Sequence, residues 1–362
     1  MNASRFFRPS YAAARAAFRE AAAARGLTIH THGNPTAGAK GEDLTTDVAL
    51  LGPQDARRLM IVLSGTHGAE GFCGSGIQVG WLSGNEPLPA DTAILMIHAI
   101  NPYGFSHVRR VTEDNVDLNR NFVDHGNAKP ENPGYEQLRD FICPKEWTDE
   151  SERRNLAALH AYAQVHGMDA LETAVASGQY VDPQGVFYGG TQPTWSNRTL
   201  RAILSPFAAR VTHSAFIDLH TGIGPYGFGE IMSNHAARDP GHRVMQQWWG
   251  GEATYFDDGT SSSYYVVGDT QIAVNQSLPN AHNAGITLEY GTIPDKRDMM
   301  NAVRADNWLY AHGGGDTGTP KGRAIKARIR AAFYPEQDDW KEMVVERGHY
   351  VMKRMLRCLG ES

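Results

Sequence analysis

The sequence predicts an α/β fold, with a mixed central sheet covered by helices on both faces. Three observations predict it. Short unbroken apolar runs at 58–64 (RLMIVLS), 93–100 (AILMIHAI), 215–219 and 285–288 have the length and composition of strands buried on both sides. Longer segments between them carry apolar residues at helical spacing, so strands and helices alternate along most of the chain. A length of 362 residues with 41 % hydrophobic content is enough for a sizeable core, and 38 glycines suit many strand-to-loop turns.

Taken in order, Ala12 to Ala24 reads as an amphipathic helix, followed by a Gly-rich loop and a short strand at Asp47 to Leu51. The 58–64 run is stopped by Gly65, and Gly71 to Leu82 follows as a helix packed on the sheet. After the 93–100 run, residues 101–124 show little periodicity and many polar side chains, the mark of a long functional loop. Charged and apolar residues alternate at helical spacing from 131 to 180, most clearly at Arg153 to His166. Ala305 to Leu309, Lys321 to Arg330 and Trp340 to Leu359 read as helices, and the basic run among them as a solvated face. No repeat, low-complexity linker or compositional break divides the chain. One domain over 1–362 is therefore expected, with an N-terminal helix at about 10–25 and a helical insert at about 131–200.

A net charge of −6 and a pI near 6.2 exclude nucleic acid as the main partner, because phosphate binding needs a basic excess. Cys73, Cys143 and Cys358 form no disulfide framework and no Cys-x-x-Cys pair, which points to a reducing compartment. Arg5, Arg8, Arg15 and Arg19 suit a transit peptide, but Glu20 and the alanine pattern fit an ordinary amphipathic helix better. With no apolar leader and no run of membrane-span length, a cytoplasmic location without membrane contact is expected. Oligomeric state leaves no trace in the sequence.

The polar residues just beyond the strand ends carry the chemistry, since ligands of open α/β sheets bind there. The 58–64 run leads into Gly65-Thr66-His67-Gly68-Ala69-Glu70, where a single turn can aim His67 and Glu70 at one point. The 215–219 run leads into His220, and the 285–288 run into Glu289. Singly, each has an ordinary structural role: a helix cap for His67, a helix-dipole partner for Glu70, a core histidine for His220. Together, two imidazoles and a carboxylate make a ligand set for catalytic zinc that leaves a fourth position for water. Asp218, two residues before His220, points to the same side of its strand and is placed to support the site or to cap a loop.

The segment NPYGFSHVRRVTEDNVDLNRNF (101–122) adds Asn101-Pro102-x-Gly104 and Asp117-Leu118-Asn119-Arg120-Asn121. With His67, Glu70, His220 and Glu289 in order, the chain resembles the zinc carboxypeptidase superfamily from about 58 to 292. Gly-Thr-His-Gly-x-Glu and Thr-Leu-Glu-x-Gly are also similar to its aspartoacylase and succinylglutamate desuccinylase branch. Over its whole length the chain resembles an uncharacterised bacterial branch, a domain of unknown function.

That resemblance implies an α/β/α sandwich holding one Zn²⁺ on His67, Glu70 and His220. It implies that Glu289 activates water and protonates the leaving amine. It places Asn119 and Arg120 on the substrate's free carboxylate and Arg110 on the oxyanion, with Arg109 as the neighbouring alternative. Tyr265, or Tyr264 beside it, falls in the interval of the family's mobile tyrosine. Tyr103 departs from the usual Asn-Pro-Asp-Gly without removing a ligand.

The expected reaction is hydrolysis of a peptide or related amide bond next to a free carboxylate. An N-acyl amino acid deacylase is the first alternative, and a catalytically idle zinc-binding protein the second. A side-chain pocket is expected from Tyr255, Asp257, Asp258 and Ser261 to Ser263. The run Cys73-Gly74-Ser75-Gly76 lacks the first glycine of a nucleophile elbow, which argues against a serine hydrolase.

Overall fold

The computed structural model describes residues 2–233, 235–263, 266–293 and 295–362. Its sheet contains β1 (Ile29–Ala37), β2 (Asp43–Leu51), β3 (Arg58–Ser64), β4 (Thr92–His98), β5 (His213–Tyr226), β6 (Gly229–Ser233), β7 (Ala253–Tyr255) and β8 (His282–Gly291). The eight strands lie in the order β1-β2-β4-β3-β5-β8-β6-β7. β4, β3, β5 and β8 run parallel, and antiparallel strands flank them on both sides, so the sheet is mixed.

The continuous apolar runs follow from burial on both faces. On β3 and β4, Met60, Val62, Ile94 and Met96 enter one core with Ile217 and Leu219 of β5. Leu59, Ile61, Leu63, Leu95 and Ile97 enter the other with Phe216. Each fully buried Leu, Ile or Met contributes about 1.5–3 kcal/mol relative to exposure. The first face is covered by α1 (Tyr11–Ala24), α2 (Gly71–Leu82), α8 (Pro240–Trp249) and α12 (Asp338–Gly360). The second is covered by α7 (Trp195–Leu204) and α9 (Thr270–Ser277).

α3 (Pro102–His107) packs on the turn that follows β3, and α4 (Pro133–Ile142), α5 (Asp149–His166), α6 (Met168–Ala176), α10 (Lys296–Ala311) and α11 (Pro320–Phe333) form a further layer around Ala69 of that turn. The part of the expected insert that forms this layer ends at α6, because α7 packs beneath the sheet. Among the described residues no helix is long and apolar enough to cross a membrane.

β1 lies in the stretch expected as a Gly-rich loop. It is an edge strand with no apolar face and with Pro35 inside it, so it is held by its ladder to β2 instead of by burial. β6 and β7 span only 229–233 and 253–255, too short to show a period in the sequence.

Candidate metal centre and active site

The register of the parallel strands assembles the site. Ser64 of β3 pairs with Leu219 of β5, and His220 pairs with Glu289 of β8, so the imidazole and the carboxylate stand side by side on one face. β4 and β5 flank β3 on opposite sides, which makes the end of β3 the point where strand order reverses. His67 follows directly there.

The turn at Gly68–Glu70 is held by backbone contact. A Cβ on Gly68 would lie 1.8 Å from the carbonyl carbon of Gly104, so the two motif glycines pack main chain against main chain. Asn101 caps α3 by accepting from Gly104 N at 2.9 Å. Ala69 N donates to Arg109 O at 2.8 Å and Gly68 N to Arg110 O at 3.3 Å, which pins the arginine loop to the turn. Tyr103, at the position where aspartate was expected, stacks on His107 at 4.2 Å and leaves these contacts intact.

His67 Nδ1 lies 2.9 Å from Glu70 Oε1, and His220 Nδ1 lies 2.9 Å from Glu70 Oε2. The three side chains are buried, with ligand atoms within 4.8 Å of one another. These separations are compatible with all three ligating one ion at about 2.0–2.2 Å. The far side of each ring faces a buried aspartate. His67 Nε2 is 3.1 Å from Asp117 Oδ1, while His220 Nε2 is 3.0 Å from Asp218 Oδ2, off the line of a good hydrogen bond. Thr66 and Thr270 hydroxyls donate to Asp218 at 2.8 and 2.7 Å, and Thr221 N donates to Glu70 Oε2 at 3.1 Å. The Asp117 bond favours the His67 tautomer whose Nδ1 lone pair is free for a metal, and Asp218 stands behind His220 in the same sense, so the donor set fits one.

Electrostatics agree with that fit. Burial raises the Glu70 carboxyl, but His67 and His220 outweigh it and hold the group well below the usual carboxylate range. Asp117 is likewise held low, its burial overcome by Arg110, Arg120 and His67. Burial lowers the His220 imidazole, yet Asp218 and Glu70 outweigh it and raise it well above its ordinary value. A cation held by these donors would take the place of that proton. Glu289 goes the other way. Burial and the charge of Glu70 push it up, only partly opposed by His220, by the bond from Ile223 N (3.1 Å) and by Arg110.

His67, Glu70, His220, Glu289, Arg110, Asn119 and Arg120 all line one cavity of about 110 Å³. Arg110 Nε donates to Asp117 Oδ2 at 2.8 Å, and Nη1 lies 3.5 Å from Glu70 Oε1. Asn119 Oδ1 accepts from Thr270 N at 3.3 Å. Arg120 Nη1 and Nη2 donate to Asn119 O and Ala176 O, while its buried Nε has no hydrogen-bond partner among the described residues.

Arg109 lies apart from Arg110. It does not line the cavity; its guanidinium reaches Asp306 at 3.1 Å and Asn115 at 3.0 Å and stacks over Tyr310 at 3.8 Å. Neighbouring residues of non-helical backbone point to opposite sides, so placing Arg110 in the site turns Arg109 away from it. Tyr264 and Tyr265 lie outside the described residues. The described residues from 255 to 269, a stretch that includes the expected side-chain pocket, divide. Phe256, Ser263, Val266 and Asp269 line the cavity, whereas Asp257 bonds Ala237 N and Asp258 bonds Thr260 within a surface turn. Asp269, at the N-terminus of α9, is raised to about 6 by burial and by Asp218. Cys73 is buried within α2, which pushes its thiol well up and leaves it no nucleophile.

Sequence reasoning named Asp117 only as part of a motif. It is the residue that orients His67 while neutralising Arg110 and Arg120, and an aspartate fifty positions from its histidine carries no spacing signal. Asp117→Asn is expected to weaken metal affinity about 10–100-fold. Competition against a chromogenic chelator measures this, and unchanged affinity would remove Asp117 from support of the site.

A model of the family described as "Protein of unknown function (DUF2817)" matches residues 7–347, and the chain belongs to that family. No curated protein matches the sequence. Similar solved structures include a carboxypeptidase A from Helicoverpa armigera, 13 % identical, covering 90 % of this chain and 74 % of that one with a TM-score of 0.45. A succinylglutamate desuccinylase from a Silicibacter species is 12 % identical over 79 % of this chain and 67 % of its own, with a TM-score of 0.39. The murein-tripeptide amidase MpaA from Escherichia coli O157 is 14 % identical over 78 % of this chain and 91 % of its own, with a TM-score of 0.38.

Proposed function

We propose that this DUF2817 member is a zinc-dependent hydrolase that cleaves a peptide or related amide bond next to a free carboxylate. The observation that carries the proposal is the convergence of His67, Glu70 and His220 with Glu289 and Arg110 on one small buried cavity. An idle zinc-binding protein needs no base beside the metal and usually offers four protein ligands, so Glu289 favours the enzyme.

A zinc ion held by His67, Glu70 and His220 would supply Lewis acidity to the scissile carbonyl and would acidify water. Glu289 accepts the proton from the attacking water and delivers it to the leaving amine. Its burial and the charge of Glu70 make it a stronger proton acceptor than an exposed carboxylate, and Ile223 N fixes one of its oxygens. Arg110, held by Asp117, presents fixed positive charge to the oxygen that becomes negative during attack. Asn119 and Arg120 bind the substrate's carboxylate. Two backbone carbonyls hold the Arg120 fork in place, and a guanidinium has five N–H donors, so donors remain for an acid.

The N-acyl amino acid deacylase is the second reading, favoured by the cavity's volume of about 110 Å³, which suits a compact amino acid as leaving group. The test common to both compares N-acetyl amino acids with their carboxamides on the zinc-loaded protein. Blocking the carboxylate is expected to lower kcat/KM about 10–100-fold, the value of a lost charge-assisted bond. Equal rates would remove the carboxylate requirement, and no turnover of any amide would remove the hydrolase.

A further inference from the structure

A second cavity, of about 830 Å³, lies beside the catalytic one. Leu156 of α5 and Leu171 and Val175 of α6 wall it, and Ile223, Met299 and Met300 line both cavities. The catalytic cavity alone is smaller than the ~300–1,000 Å³ typical of ligand sites, whereas its neighbour falls within that range.

Several of the charged groups around the larger cavity are engaged with the protein itself. Arg297 pairs with Asp295 at 2.8 Å, Lys296 Nζ donates to Ser262 O at 3.1 Å, and Arg304 donates to Ile142 O and Phe141 O. His160, Glu172 and Asp298, which also line the cavity, are exposed, and most of the other lining residues are hydrocarbon or thioether. Leu156 and Met168 are left 40 % and 53 % exposed, apolar surface that a ligand would cover. The partition is made partly of methionine, whose unbranched chain re-packs readily.

We infer that the larger cavity is the acyl subsite of the reaction, and that the preferred substrate is an amino acid carrying an extended apolar acyl chain on its amine. This rests on the function proposed above. The small cavity, lined by Asp269, Thr287, Asn119 and Arg120, takes the amino acid and its carboxylate. The acyl group is the portion left over, and it passes Ile223, Met299 and Met300 into the neighbouring space. Hydrolysis adds water across the amide and releases a fatty acid and an amino acid.

The test uses zinc-loaded protein and one amino acid acylated with chains of two, four, six, eight and twelve carbons. kcat/KM is expected to rise about three- to fourfold per added methylene until the cavity is filled, with most of the gain in KM. The double variant Leu156→Glu/Met168→Glu sits on exposed positions that do not line the catalytic cavity. It should lose at least tenfold on the eight-carbon substrate and keep its rate on the acetyl one. A flat chain-length profile, an unaffected double variant, or a gain that follows the amino-acid side chain instead would overturn the acyl assignment.

Calorimetric binding of dodecanoate, which needs no turnover, separates the two claims. Binding to wild type that is lost in the double variant supports the subsite even if no amide is hydrolysed. No binding to wild type counts against it.

Discussion

Glu289→Gln is expected to lower turnover about 10²–10⁴-fold, the range for loss of a positioned general acid–base, while the protein keeps its metal. The exchange preserves shape and still offers an oxygen to Ile223 N, which now bonds Glu289 Oε1 at 3.1 Å. It also removes a carboxylate that burial and Glu70 already disfavour as an anion, so the fold should lose no stability. The measurement pairs steady-state kinetics on an N-acetyl amino acid with elemental analysis of the same preparation. Full turnover with metal retained would take Glu289 out of the mechanism. Loss of both would make it part of the metal site.

Arg110→Ala should cost about 10²–10³ in kcat, as removal of an oxyanion-stabilising group does elsewhere. Arg109→Ala is its control. Arg109 pairs with buried Asp306, which would keep only its contact to Lys326, so the loss should fall on melting temperature and leave kcat near wild type. The two adjacent substitutions thus separate chemistry from support. If Arg109→Ala carried the kinetic loss instead, the loop would reach the substrate in the opposite sense to that described here.

The central strands were legible because both faces of each are covered, which makes 58–64 an unbroken apolar run with the ligand turn directly behind it. His220 and Glu289 were legible for the same reason, at the ends of β5 and β8, and the register then places them in adjacent pairing positions. The edge strand β1 was not legible, since its residues IHTHGNPTA alternate toward no core and its partner is set by hydrogen bonds alone. Asp117 was hidden as a supporting residue because its contact with His67 exists only after the 101–122 loop folds over the turn at 68–70. Sequence could not choose between Arg109 and Arg110 either. In the folded chain Arg110 lines the cavity, whereas Arg109 reaches Asp306.

If His67, Glu70 and His220 hold a catalytic metal, the purified protein will carry it, and metal content is best measured in wild type beside His67→Ala. The expected result is about one zinc per wild-type chain, lost in the variant without loss of fold by circular dichroism. A well-folded wild type that takes up no metal even when zinc is offered would contradict it.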